Sequence, residues 1–189
     1  MSPFEYVVVL VSIIIGLGIT LVLTGIAQLL REEQRVKLFW PYLIWIVLVF
    51  VMHIHEWWIT YQLKSTLAWR LPTFLFIILY PILLFILANL LFPDSWEKYS
   101  RDTKHFYFVI YQNFFGCAIL LVVLSVLQNV FLLDLPLTEQ IVHFIVLITL
   151  AVMLAAKLKS VLAHTIIALF LLLLLIGSLI VERNSLLIQ

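Results

Sequence analysis

Long apolar runs alternate along the chain with short polar breaks. The breaks are Arg31-Glu32-Glu33-Gln34-Arg35-Val36-Lys37, Gln62-Leu63-Lys64-Ser65, Asp94 to Lys104, Asp134-Leu135-Pro136 and Lys157-Leu158-Lys159. Between them the pattern predicts spans at roughly 5–30, 39–61, 70–92, 105–131, 138–156 and 160–181. Each is close to the about 20 residues that a helix needs to cross a hydrocarbon core. None alternates as a barrel strand does, and a bilayer interior makes each backbone group find its partner within its own segment. The expected fold is therefore an all-α integral membrane protein, a compact bundle of about six transmembrane helices forming a single domain over residues 1–189.

Prolines and basic residues refine this pattern. Pro41 suits the first turn of the second span, Pro136 precedes the fifth, and Pro93 ends the third. Pro81 falls inside the third span, where it predicts a kink and a released carbonyl that a neighbouring group must satisfy. Arg31, Arg35, Lys37, Lys98, Arg101, Lys104, Lys157 and Lys159 fall in the first, third and fifth loops, against Lys64, Arg70 and Arg183 on the other side. The positive-inside rule then predicts both termini outside and those three loops in the cytoplasm. Phe39, Trp40, Trp57, Trp58, Trp69 and Trp96 cluster at the predicted ends as an aromatic belt does.

Composition excludes several classes. At 65% hydrophobic and 11% charged over 189 residues, the chain departs from soluble domains, in which about a quarter of residues are charged. Almost no length is left for an extramembrane domain. A net charge of +1 without a basic stripe predicts no nucleic-acid partner. The single Cys117 cannot form an intramolecular disulfide or a cysteine cluster. The start lacks the basic residues of a signal peptide, so the first span is expected to be retained.

Two sets of residues stand out within the spans. In the first span, Gly16, Gly18, Thr20, Thr24 and Gly25 are small, with Gly16, Thr20 and Thr24 on one face, and small residues let two helices approach closely. In the second, Met52-His53-Ile54-His55-Glu56 places ionisable groups in the outer leaflet, where they are costly and point to function. His53 and Glu56 lie roughly 12 and 8 Å below the predicted outer end, and His143 on the fifth span lies roughly 9 Å below it. Glu139 and His143, four apart, are expected to share a helix face. His53, Glu56, Glu139 and His143 form an outer cluster if the second and fifth helices are neighbours. Imidazoles and carboxylates together suit proton or ion handling, or a divalent metal such as zinc.

A neutral set, Gln28, Asn89, Gln112, Asn113 and His164, lies toward the cytoplasmic half and is expected to hydrogen-bond between helices or to line an inner vestibule. Five histidines also admit b-type haem as an outlier, with His53 or His55 paired with His143 outside and His105 with His164 inside. No cofactor is otherwise expected. Serine and threonine occur without a nucleophile elbow, and no phosphate-binding glycine loop is present, so the chain is not expected to be an enzyme.

Phe4-Glu5-Tyr6, Gly16-Leu17-Gly18 and Leu23-Thr24-Gly25, followed by a tryptophan-rich second span, resemble an uncharacterised family of small multi-span bacterial membrane proteins. The resemblance implies a multi-pass protein of the bacterial inner membrane and brings no activity or site residue with it. The leading expectation is a small homo-oligomeric channel. A secondary transporter or ion-coupled carrier comes second, and third an anchor or accessory subunit whose 94–104 loop docks a cytoplasmic protein. Membrane lipids are the expected surroundings in each case.

Overall fold

The computed structural model describes the backbone of residues 3–31, 36–62 and 70–186. Arg35, Lys64 and Trp69, together with the Arg183 side chain, lie outside the described residues. The helices are α1 (Pro3–Arg31), α2 (Trp40–Gln62), α3 (Leu71–Leu90), α4 (Thr103–Leu132), α5 (Ile141–Ala155) and α6 (Val161–Leu186). Short 3₁₀ turns at Glu97–Tyr99 and Leu137–Gln140 lead into α4 and α5. The six helices, the fifth taken together with its leading 3₁₀ turn as Leu137–Ala155, are long and apolar enough to cross a membrane.

α1, α3, α4 and α5 touch in that order, while α2 lies against α1 and α3 and carries α6 on its other flank. α5 and α6 barely meet although a five-residue connection joins them. The main core is aromatic where α2 crosses α4. Trp45 packs on Phe114 and Phe115 at 5.2 and 5.3 Å between centroids, and Tyr42 meets Phe106 edge-on at 6.0 Å. Edge-on contact sets a positive ring edge against a negative face. A smaller core of Val7, Val11, Ile15 and Ile77 joins α1 to α3. The outward surface is also apolar, with Leu17, Leu120, Ile148 and Leu173 each more than half exposed, an exterior suited to hydrocarbon rather than water.

Local chemistry fixes the helix ends. Pro72 sits in the first turn of α3, where its missing N–H leaves nothing unpaired. Asp102 caps α4 by accepting the Lys104 and His105 N–H groups. α5 stops in a Schellman motif, with Lys157 left-handed at φ 46° and the Lys157 and Leu158 N–H groups returned to Leu154 and Met153.

The first and third loops are clasped together. The Thr103 hydroxyl donates to the Lys37 carbonyl at 2.9 Å and accepts the Phe39 N–H at 2.8 Å. Lys37 N–H reaches the Arg101 carbonyl at 2.8 Å, and Thr103 N–H reaches Lys37 at 3.0 Å. The fifth loop lies at the same end, because His164 joins the Leu158 carbonyl to Tyr107 in the second turn of α4.

Candidate functional site: polar groups between the helices

α2 brings His53 to the interior, fully buried, with Nδ1 2.7 Å from the Val49 carbonyl. A carbonyl only accepts, so Nδ1 carries the proton and Nε2 keeps its lone pair. That Nε2 has no hydrogen-bond partner. It presses instead on the backbone of α1 at Gly18, in the space that a Cβ there would occupy. Glu56, one turn further along α2, is half-buried on the side of Tyr80 of α3.

His143 belongs to a different neighbourhood. Its Nε2 lies 3.1 Å from the Ser125 hydroxyl on α4, and its Nδ1 is buried without a partner. Glu139 is exposed. Glu139 lies in the 3₁₀ turn that Pro136 caps, and His143 in the first turn of α5, which starts at Ile141. α2 and α5 are not principal neighbours. Among the described residues no three His, Cys, Asp or Glu side chains are grouped to hold a metal ion.

Pro81 lies inside α3, and the carbonyl it frees is that of Ile77. Gln128 on α4 reaches this spot, donating to the Phe76 carbonyl at 2.7 Å with Ile77 at 3.4 Å. Next to it Asn129 donates to the buried Gln140 at 2.8 Å, linking α4 to the start of α5. Ser125, Gln128 and Asn129 share one face of α4, so a polar belt runs along α3, α4 and α5. Sequence reasoning missed Gln128, Asn129 and Gln140. The signal was the donor demanded by Pro81, for which the only intramembrane amides toward that end of α4 are Gln128 and Asn129.

The inner set divides by burial. His164 is buried in an aromatic box of Tyr107, Phe108, Tyr111 and Phe115, with ring centroids 5.1–5.7 Å away. Its Nε2 donates to Leu158 at 2.9 Å, which leaves Nδ1 to accept the Tyr107 hydroxyl at 2.7 Å in the neutral ring. Both nitrogens are engaged, so this ring offers no free lone pair to a haem iron. His105 is exposed beside Tyr99. The Trp45 indole lies near the Tyr107 hydroxyl but makes no hydrogen bond of good geometry. Gln28, Asn89, Gln112 and Asn113 all face outward, and none joins His164.

The small residues of α1 divide in the same way. Gly18 and Gly25, seven apart, face inward against His53 and the Phe92 ring. Thr20 and Thr24 face outward, and a Cβ at Gly16 would meet nothing within 4 Å. Thr20 returns its hydroxyl to the Gly16 carbonyl at 2.8 Å.

Helices of this number and composition fit a multi-pass membrane protein. Comparison of the chain with protein families, curated proteins and solved structures finds no match.

Proposed function

We propose that the protein is a multi-pass protein of the bacterial inner membrane that acts as a homo-oligomeric channel, with its conduction path between subunits. Both termini lie outside, and the basic first, third and fifth loops face the cytoplasm. The observation that carries this reading is Asn113, an exposed amide on α4 with no hydrogen-bond partner of its own. The 30 residues of α4 rise about 45 Å, and in a hydrocarbon layer of about 30 Å centred on its midpoint Asn113 sits about 7 Å from the centre. A lone amide there lacks the partner that water would supply.

A second copy supplies it. Subunits related by rotation about the membrane normal bring Asn113 opposite its own counterpart at the same depth, and an amide both donates and accepts. Gly116 lies on the same face, and a Cβ there would meet nothing within 4 Å, so two backbones can approach. Gln112 adds a second amide beside it. Inside one subunit, by contrast, the polar groups are separated by the aromatic core, which supports a path between subunits rather than through one.

Native mass spectrometry and liposome flux test the proposal. The wild type is expected to be oligomeric and conducting, and Asn113→Leu to shift it toward monomer and to lower flux, with Asn113→Gln retaining both. An Asn113→Leu protein with unchanged oligomer and flux would remove the proposal. A carrier mechanism is the second reading, supported by the buried His53 and the half-buried Glu56 of α2 and by the half-buried Tyr80 of the proline-containing α3.

A further inference from the structure

At the end of the bundle where α1 and α3 stop, a polar cleft of about 460 Å³ opens between the last turn of α1 and the α3–α4 loop. Gln28 and Arg31 stand on one side, and Asp94, Trp96, Glu97 and Arg101 on the other. The loop wall is built. Trp96 is buried against Tyr42 and Phe106, and the Ser100 and Arg101 N–H groups return to the Glu97 and Trp96 carbonyls. Ser100 and Arg101 both take left-handed backbone, at φ 56° and 53°, to make that turn.

The charges in the cleft are unevenly matched. Arg101 is held by Glu97 at 2.9 Å. Among the described residues neither Arg31 nor Asp94 has an ion-pair partner, although both face the cleft. One cation and one anion thus remain across a polar space, which is the complement of a zwitterion. The cleft lies at the helix ends, and the same last turns of α1 carry the exposed Leu23 and Leu30.

We propose that this cleft binds a phosphate ester carrying a primary ammonium, of the phosphoethanolamine class, with the phosphate at Arg31 and the ammonium at Asp94. Guanidinium and phosphate form charge-assisted hydrogen bonds. The Asp94 carboxylate and the Gln28 carbonyl oxygen accept the N–H donors of a primary ammonium, which a trimethylammonium lacks. The site is independent of the subunit contact proposed for α4.

Full-length protein stripped of lipid and titrated by native mass spectrometry tests this, using phosphatidylethanolamine, phosphatidylcholine and phosphatidylglycerol with the same acyl chains. Phosphatidylethanolamine is expected to be held most tightly. Arg31→Gln and Asp94→Asn should each weaken it about tenfold, the loss of one charge-assisted hydrogen bond. Arg31→Lys should retain part of the affinity, and Lys104→Gln, outside the cleft, all of it. Soluble glycerophosphoethanolamine separates the sources: displacement of the lipid supports a water-borne ligand of this chemistry, and persistence supports the membrane headgroup. Equal retention of the three lipids, or unchanged preference in both Arg31→Gln and Asp94→Asn, would overturn the proposal.

Discussion

Gly18→Ala isolates the contact between α1 and α2, and Gly16→Ala is its control two residues away. Placing alanine in a helix instead of glycine stabilises by roughly 0.5–1 kcal/mol on backbone entropy alone, and Gly16→Ala should show only that gain because its Cβ meets nothing within 4 Å. At Gly18 the new Cβ enters the space of the His53 ring. That ring is buried and tied to Val49, so it cannot swing away at little cost. Overpacking of this kind costs typically 1–3 kcal/mol. Since the helical gain is common to both variants, they should differ by about that amount, a melting-temperature gap of about 2 to 12 °C for a chain of this size. Thermal denaturation in detergent, followed by size-exclusion chromatography, reads it. Repeating the pair in a His53→Ala background should close the gap, because the obstructing ring is gone. Equal melting of the two alanine variants, or a gap that persists without His53, would refute the packing argument.

Gln128→Leu should lower stability by about 1 kcal/mol, because it removes the amide donor from the Ile77 carbonyl that Pro81 frees and from the neighbouring Phe76 carbonyl. The loss should shrink in a Pro81→Ala background, where residue 81 regains an N–H for Ile77; an undiminished loss in that background would count against the capping role. With Cys117 replaced, a cysteine at exposed Asp134 should react with a membrane-impermeant reagent in intact cells, and one at exposed Lys98 only after permeabilisation. The opposite pattern would invert the proposed topology.

The helices were legible in the sequence because each is an apolar run bounded by charges. Their faces were not. In water a helix announces its buried side by polarity, but here both the core and the surroundings are apolar, and the contrast that sets an amphipathic stripe is lost. Gln128 turns inward and Gln112 outward with nothing in their immediate neighbours to tell them apart. Gly18 and Gly16 divide between interior and surface in the same way. Neighbour relations were equally hidden. Matching depth suggested a meeting of His53 with His143, yet α1 covers the first and α4 the second. Pro81 was the exception, because a missing N–H implies a donor elsewhere whatever the helix orientation.

The clasp at Thr103 also bears on the order of events during synthesis. Its hydrogen bonds join residues 64 and 66 positions apart, so the hairpin of α1 and α2 cannot be fastened at its loop until α4 has begun to emerge from the ribosome. Until then Lys37 and Phe39 keep open backbone groups at the membrane surface, where water can serve them. The first three helices can already pack on one another, and the arrival of the fourth both closes the loop and brings in the aromatic face against which α2 packs. A truncation after α3 should accordingly leave the α1–α2 loop without the hydrogen bonds that Thr103 supplies.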